Sequence, residues 1–207
     1  MTESASPPGA SVERLVFFSD AAVAIALTLL ILPLMEGVGE AVHEGLDAFG
    51  YLGQNISAVV SFVLSFVIIA RFWRSHRRLF DRLEFEAPGI FWLNMAWLLS
   101  IVFLPVATAI TGAMPVDRPQ LTVYIGTMLI ASLSLTGMEM VAWRHPETWV
   151  EGAQVSREAI HVSWAMVILM VLALGVALAW PVVGYWALLL LLLARPVRLL
   201  LDRFDAR

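Results

Sequence analysis

The run RLVFFSD, Arg14 to Asp20, sets an arginine, a serine and an aspartate at the mouth of an apolar stretch that continues to Leu34. A carboxylate at the centre of a membrane helix costs about 2.5–3.5 kcal/mol, and less toward the interface, so Asp20 needs a partner or water. Two later segments carry groups of the right kind. Trp73, His76 and Phe80 stand at i, i+3 and i+7, on one face if the segment is helical, and Asn94 lies near the start of a further apolar run. A network of Arg14, Ser19, Asp20, His76 and Asn94 would satisfy side chains that are expensive to bury singly. Two roles are open to it: proton exchange through Asp20 and His76, and a structural latch with no part in transport.

Other chemistries are excluded by inventory. The chain has no cysteine, which removes disulfides, thiolate metal sites and thiol nucleophiles, and it has no lysine. No P-loop, HExxH or GxSxG string is present. The string TVYIG, Thr122 to Gly126, opens an ordinary apolar run and lacks the preceding pore helix of a TVGYG filter. The expectation is a protein that is not an enzyme, with no cofactor, no resident metal, no nucleic-acid partner and no organic substrate.

The elements that must position these residues are membrane helices. Of 207 residues 60% are hydrophobic and 14% charged, with a mean hydropathy of +0.82, which no soluble domain of this size carries on its surface. Six stretches are long enough to cross a bilayer, near 14–34, 51–71, 89–111, 121–142, 159–179 and 182–201. Pro88, Pro119 and Pro181 stand at or before span starts, where a missing N–H is harmless. The expected fold is all-α: a polytopic membrane protein of six transmembrane helices, without a re-entrant pore loop. A polar leader without a basic n-region covers residues 1–12 and is expected to be disordered and uncleaved; the helical repeat covers 13–202 and a short tail 203–207.

Arginine placement sets the orientation. Arg14, the cluster Arg71 to Arg82, Arg144, Arg157, Arg195, Arg198, Arg203 and Arg207 fall on one side, and Arg118 on the other, beside the acidic stretch Glu36 to Asp47. The positive-inside rule then puts both termini in the cytoplasm. The net charge of −4 carries no such information. The 71–86 connection reads as a helical extension of the second span, its arginines being ordinary topological signals.

Within the spans, Ile25, Thr28, Leu29 and Leu32 form one stripe, which by itself reads as core packing or lipid contact. Ser57, Ser61 and Ser65 put small residues on one face of the second span and suit close packing, and Pro105 should kink the third. Glu139 is expected to snorkel or pair with arginine, and Leu188 to Leu193 to face lipid. Trp92, Trp97, Trp143, Trp149, Trp180 and Trp186 fit an interfacial aromatic belt.

Taken together, Arg14-x-x-x-Phe18-Ser19-Asp20 followed by Ile25 and Thr28, Trp73-x-x-His76-x-x-x-Phe80, and Asn94 with Pro105 resemble the prokaryotic members of the transmembrane protein 175 family of potassium channels, over roughly residues 13–200. Ala21 departs from the family, which most often has glycine there. The resemblance implies a homotetramer in lipid, in the prokaryotic cell membrane, whose first helices line the pore. K⁺ is then the permeant ion, transient in the pore. It makes Ile25 the hydrophobic constriction, Thr28 the threonine layer linked to selectivity, and Leu29 and Leu32 a continuation of the gate. Arg14, Phe18, Ser19, Asp20, Trp73, His76 and Asn94 become the structural polar network. The competing expectations are a proton-permeable or weakly selective cation leak and a proton-coupled carrier, the last disfavoured by mid-membrane positions that are apolar.

Overall fold

The computed structural model describes residues 10–154 and 157–193, and among these the regular structure is helical. Helix α1, Ala10–Leu29, is followed by two short helices, α2 (Leu32–Glu36) and α3 (Val38–His43), and by α4 (Ala48–Gln54). The long helices α5 (Ile56–Phe80), α6 (Ile90–Ala113), α7 (Arg118–Arg144) and α8 (Arg157–Ala179) come next, and a 3₁₀ segment, Pro181–Leu193, ends the described chain. The stretch from Val12 to His43 and the helices α5, α6, α7 and α8 are long and apolar enough to span a bilayer. The expected sixth span, 182–201, runs past the described residues; its described part is 3₁₀ in type and broken at Gly184, whose φ of 52° suits glycine.

The long helices follow the expected boundaries closely, and the differences have local causes. Helix α1 starts at Ala10, inside the expected leader, of which residues 1–9 lie outside the described chain. The second span is two helices. Asn55 ends α4, where its Nδ2 donates to the Tyr51 carbonyl at 3.0 Å, and α5 begins only at Ile56. From there α5 runs unbroken to Phe80, the cytoplasm-type extension foreseen for 71–86, and beyond Phe80 the chain turns.

The first helix leans on α6 and α5, α6 sits between α5 and α7, and α8 packs on α7 and the last segment. Because lipid is as apolar as leucine, small residues and hydrogen bonds decide which faces meet. Ser61 and Ser65 are buried on α5 whereas Ser57 is exposed, and a Cβ on Gly112 of α6 would lie 3.0 Å from Ala58 Cα of α5. A hydroxyl cluster crosses this seam. Ser65 Oγ lies 2.9 Å from the Tyr124 hydroxyl, Thr108 Oγ1 lies 2.7 Å from Ser65 Oγ, and Tyr185 OH donates to Thr111 Oγ1 at 3.2 Å.

At the arginine-poor end, Asp47 and Asp117 cap α4 and α7 by accepting from Gly50 N at 2.7 Å and Gln120 N at 2.8 Å. The Gln120 side chain donates to the Ile110 and Met114 carbonyls at the close of α6. At the arginine-rich end the α5–α6 and α7–α8 connections meet in an antiparallel bridge, Leu83 with Trp149.

Two expectations change. Trp97 and Trp149 are not interfacial: Trp97 is fully buried, and Trp149 is buried with its Nε1 donating to the Ala142 carbonyl at 2.8 Å. Trp92, Trp143, Trp180 and Trp186 remain exposed, as a belt requires. Glu139 does not snorkel, its Oε2 being buried without a hydrogen bond, but it does feel the charge of Arg82, in keeping with the other half of the expectation. The TVYIG string lies inside α7 with Tyr124 buried against Ser65, an ordinary span as expected.

Candidate functional site

Two faces of α1 carry the candidate residues, and opposite environments surround them. On the inner face Ser19, together with His76 of α5 and Asn94 of α6, is 0% exposed. Ser19 Oγ donates its hydrogen to the Leu15 carbonyl at 2.8 Å, a group that only accepts. Ser19 Oγ must therefore accept from Asn94 Nδ2, 2.9 Å away. That orientation turns the amide oxygen toward His76, so at 2.7 Å Nε2 carries the proton and donates to Asn94 Oδ1. The donor order is fixed throughout: His76 to Asn94 to Ser19 to the α1 backbone.

Aromatic rings clamp the imidazole from both faces. Phe80 stacks at 4.3 Å between centroids and 27°, and Trp97 at 4.2 Å and 12°. His76 Nδ1 is buried without a hydrogen bond. At the next residue of α1, Asp20 accepts from Trp73 Nε1 at 2.8 Å and from Arg77 Nη1 at 3.2 Å, and Arg77 also meets Asp81 at 3.1 Å. These groups are partly exposed, so the Asp20–Arg77 pair contributes about 0–1 kcal/mol, as screened pairs do.

Of the expected network, Ser19, His76 and Asn94 are joined by hydrogen bonds and Asp20 by one to Trp73. Arg77 joins them although the sequence reading left it among the topological arginines. Its position four residues after Trp73, on the same helix face, was the available signal. Phe18 turns outward instead, and with Arg14, Leu15, Glu86, Phe91 and Met95 it lines an open groove between α1 and α6.

The outer face of α1 is left largely exposed by its own repeat. Ile25 is 60% exposed and Leu29 37%, and Thr28 between them is exposed too. Thr28 Oγ1 donates to the Ile25 carbonyl at 2.7 Å, which spends the hydroxyl hydrogen within the helix and leaves the oxygen lone pairs for an outside partner. Leu32, 43% exposed, does not continue this stripe as one helix. The helix ends at Leu29 and Leu32 starts α2, because Pro33 cannot supply the N–H that an unbroken helix needs.

This arrangement can hold α1 in a fixed rotation, with an apolar isoleucine and a threonine hydroxyl oxygen on its exposed side. Among the described residues no group of His, Asp and Glu side chains is placed to hold a metal ion.

Residues 14–105, which contain the whole network and the outer stripe, match the family model described as the endosomal/lysosomal potassium channel TMEM175. A potassium channel of Chryseobacterium sp. (strain P1-3) is 25% identical over 185 residues, 86% of this chain and 90% of its own length. The endosomal/lysosomal proton channel TMEM175 of Danio rerio is 25% identical over 141 residues, 66% of this chain and 26% of its own length. Among solved structures, the lysosomal potassium-selective channel TMEM175 homologue from Chamaesiphon minutus superposes with a TM-score of 0.61 at 22% identity, over 95% of this chain and 96% of that one, which establishes a shared fold. A signature whose serine and aspartate bind the second and third long helices, a family match across those helices and a common fold from end to end converge: over residues 14–105 the chain is similar to the TMEM175 family, and it shares that channel fold.

Proposed function

We propose that this protein is a passive potassium-selective or potassium-preferring channel of the prokaryotic cell membrane, a homotetramer whose pore is lined by α1. The observation that carries the reading is the two-sidedness of α1. Its inner face is fastened to α5 and α6 by a hydrogen-bond chain of fixed direction. Its outer face presents Ile25, Thr28 and Leu29 away from the repeat. The named bacterial relative and the named fold neighbour are both potassium channels, which agrees with this reading. The family is one of ion channels and not of enzymes.

The mechanism follows from the outward residues. Four Ile25 side chains around an axis form an apolar ring that excludes ions by dewetting until it widens. A cation passing it sheds part of its hydration, which disfavours the more strongly hydrated Na⁺ relative to K⁺. Thr28 oxygens, whose hydrogens are already bound within the helix, then stand in for lost water. The arginine-rich end faces the cytoplasm by the positive-inside rule.

The test is flux through reconstituted protein, with oligomer mass measured on the same preparation. Passage of K⁺ or Rb⁺ by a tetramer supports the reading, and a folded tetramer that passes neither ion overturns it. A second reading, a proton-permeable leak, is favoured by the proton-channel relative from Danio rerio. Acidification of K⁺-free liposomes with and without protein separates the two.

A further inference from the structure

Pro33 interrupts α1 one turn beyond Thr28. Its ring nitrogen has no hydrogen to return to the Leu29 carbonyl four residues back. The neighbouring bonds are diverted as well. Ile31 N reaches the Thr28 carbonyl only at 3.4 Å, and Leu34 N donates to Ile31 O at 3.1 Å, three residues back, instead of to Leu30 O. The segment beyond the break is held in place: the Tyr51 hydroxyl donates to the Leu34 carbonyl. Gly37 leaves room for that ring, since a Cβ there would lie 3.0 Å from the Tyr51 hydroxyl. The break is therefore a fixed feature, with an anchor immediately after it.

A carbonyl without a donor is costly in hydrocarbon, about 2–7 kcal/mol. Irregular backbone at membrane depth persists where it is buried in protein or lines a water-filled cavity. Leu29 is on the outward side of α1, next to Thr28 and in line with Ile25; its carbonyl runs along the helix toward the exposed Pro33, whose ring clashes with it and tips it off the helix axis. An outward position on α1 meets either lipid or the channel axis, and the axis alone offers water and cations. Carbonyl oxygens are established ligands for dehydrated K⁺ in selectivity filters.

We propose that Pro33 frees the Leu29 carbonyl to form a second K⁺-ligating layer, a ring of backbone oxygens just beyond the Thr28 hydroxyls. The proposal rests on the reading of α1 as pore-lining. In a tetramer a K⁺ leaving the Thr28 layer then passes to four backbone oxygens before it regains full hydration. Selectivity thus depends on a residue, Pro33, whose own side chain need not touch the ion.

The test compares K⁺ to Na⁺ permeability ratios of the wild type, Pro33→Ala, and a semisynthetic protein carrying lactic acid at position 33. Alanine restores the N–H that closes the helix on Leu29; lactic acid has alanine's side chain but an ester oxygen in place of the N–H. The expected result is a fall in the ratio of about tenfold in Pro33→Ala, which corresponds to about 1.4 kcal/mol, with the lactate protein keeping the wild-type ratio. Oligomer mass and thermal stability confirm that each variant is a folded tetramer. A Pro33→Ala ratio within about twofold of wild type, a difference under about 0.5 kcal/mol, overturns the carbonyl layer. So does an equal fall in both variants, because the N–H is then not the cause. Failure of the pore reading looks different: wild-type protein passes no K⁺ or Rb⁺, or Ile25→Ala leaves flux unchanged.

Discussion

The two faces of α1 are almost equally apolar, yet one is buried and the other bare. Val16, Val23, Ala26 and Leu30 pack inward with Ser19 at their centre, while Phe17, Phe18, Ile25 and Leu29 turn outward. Hydrophobicity cannot sort these residues, because lipid offers leucine as good a home as protein does. Side-chain size and hydrogen bonding do the sorting. Ala26 and Ser19 let α1 approach its neighbours, and the Ser19–Asn94 bond fixes the rotation. The bulkier outward residues are left for whatever the repeat assembles around.

That contrast can be broken from the inside first. Asn94→Leu removes both bonds that tie α1 to His76 and leaves the buried Nε2–H without an acceptor. The expected cost is about 1–3 kcal/mol, toward the lower end because interhelical bonds in bilayers average about 0.6 kcal/mol. Thermal unfolding of the purified protein measures it, and an unchanged melting temperature would show that the network does not hold α1. Ala26→Leu is the steric counterpart. Ala26 is 0% exposed, so the added bulk must push α1 off its neighbours at about 1–3 kcal/mol. A variant of wild-type stability would mean that this face is not packed.

Smaller stability effects sharpen the other side. Asp20→Asn keeps an acceptor for Trp73 Nε1 but gives up the charge facing Arg77. The pair is partly exposed, so the loss is about 0–1 kcal/mol and shrinks further in high salt; a salt-independent loss would contradict a screened ion pair. Ile25→Ala should scarcely alter stability, within about 0.5 kcal/mol, as at an exposed position outside the core. Its flux should nevertheless rise while discrimination against Na⁺ falls. The ranking for transport is then the reverse of the ranking for folding, and an Ile25→Ala variant with wild-type permeability ratios would remove Ile25 from the filter.

Much of this was legible in the chain because membrane helices advertise their length and their costly polar groups. Ser19, Asp20, Trp73, His76 and Asn94 stood out as groups needing partners, and each has found one. Arg77 was missed because an arginine beyond a span end has an ordinary topological explanation. Trp97 was grouped with the belt tryptophans by residue type, but it lies inside α6, buried and stacked on His76. Ser65 was read for its size alone, although a tyrosine hydroxyl inside α7 had to be answered by some side chain across the seam. The stripe from Ile25 to Leu32 looked continuous by periodicity, and only the missing N–H of Pro33 divides it.

The one-way order of the inner chain has a further consequence for charge movement. Proton hopping needs each member to accept a proton on one side and release one on the other, as a hydroxyl or water does. An amide nitrogen holds its hydrogens too firmly to release one. Asn94, standing between His76 Nε2 and Ser19 Oγ, is thus an insulator spliced into what would otherwise resemble a wire. The joint that fixes α1 in rotation therefore offers no proton relay between His76 and Ser19.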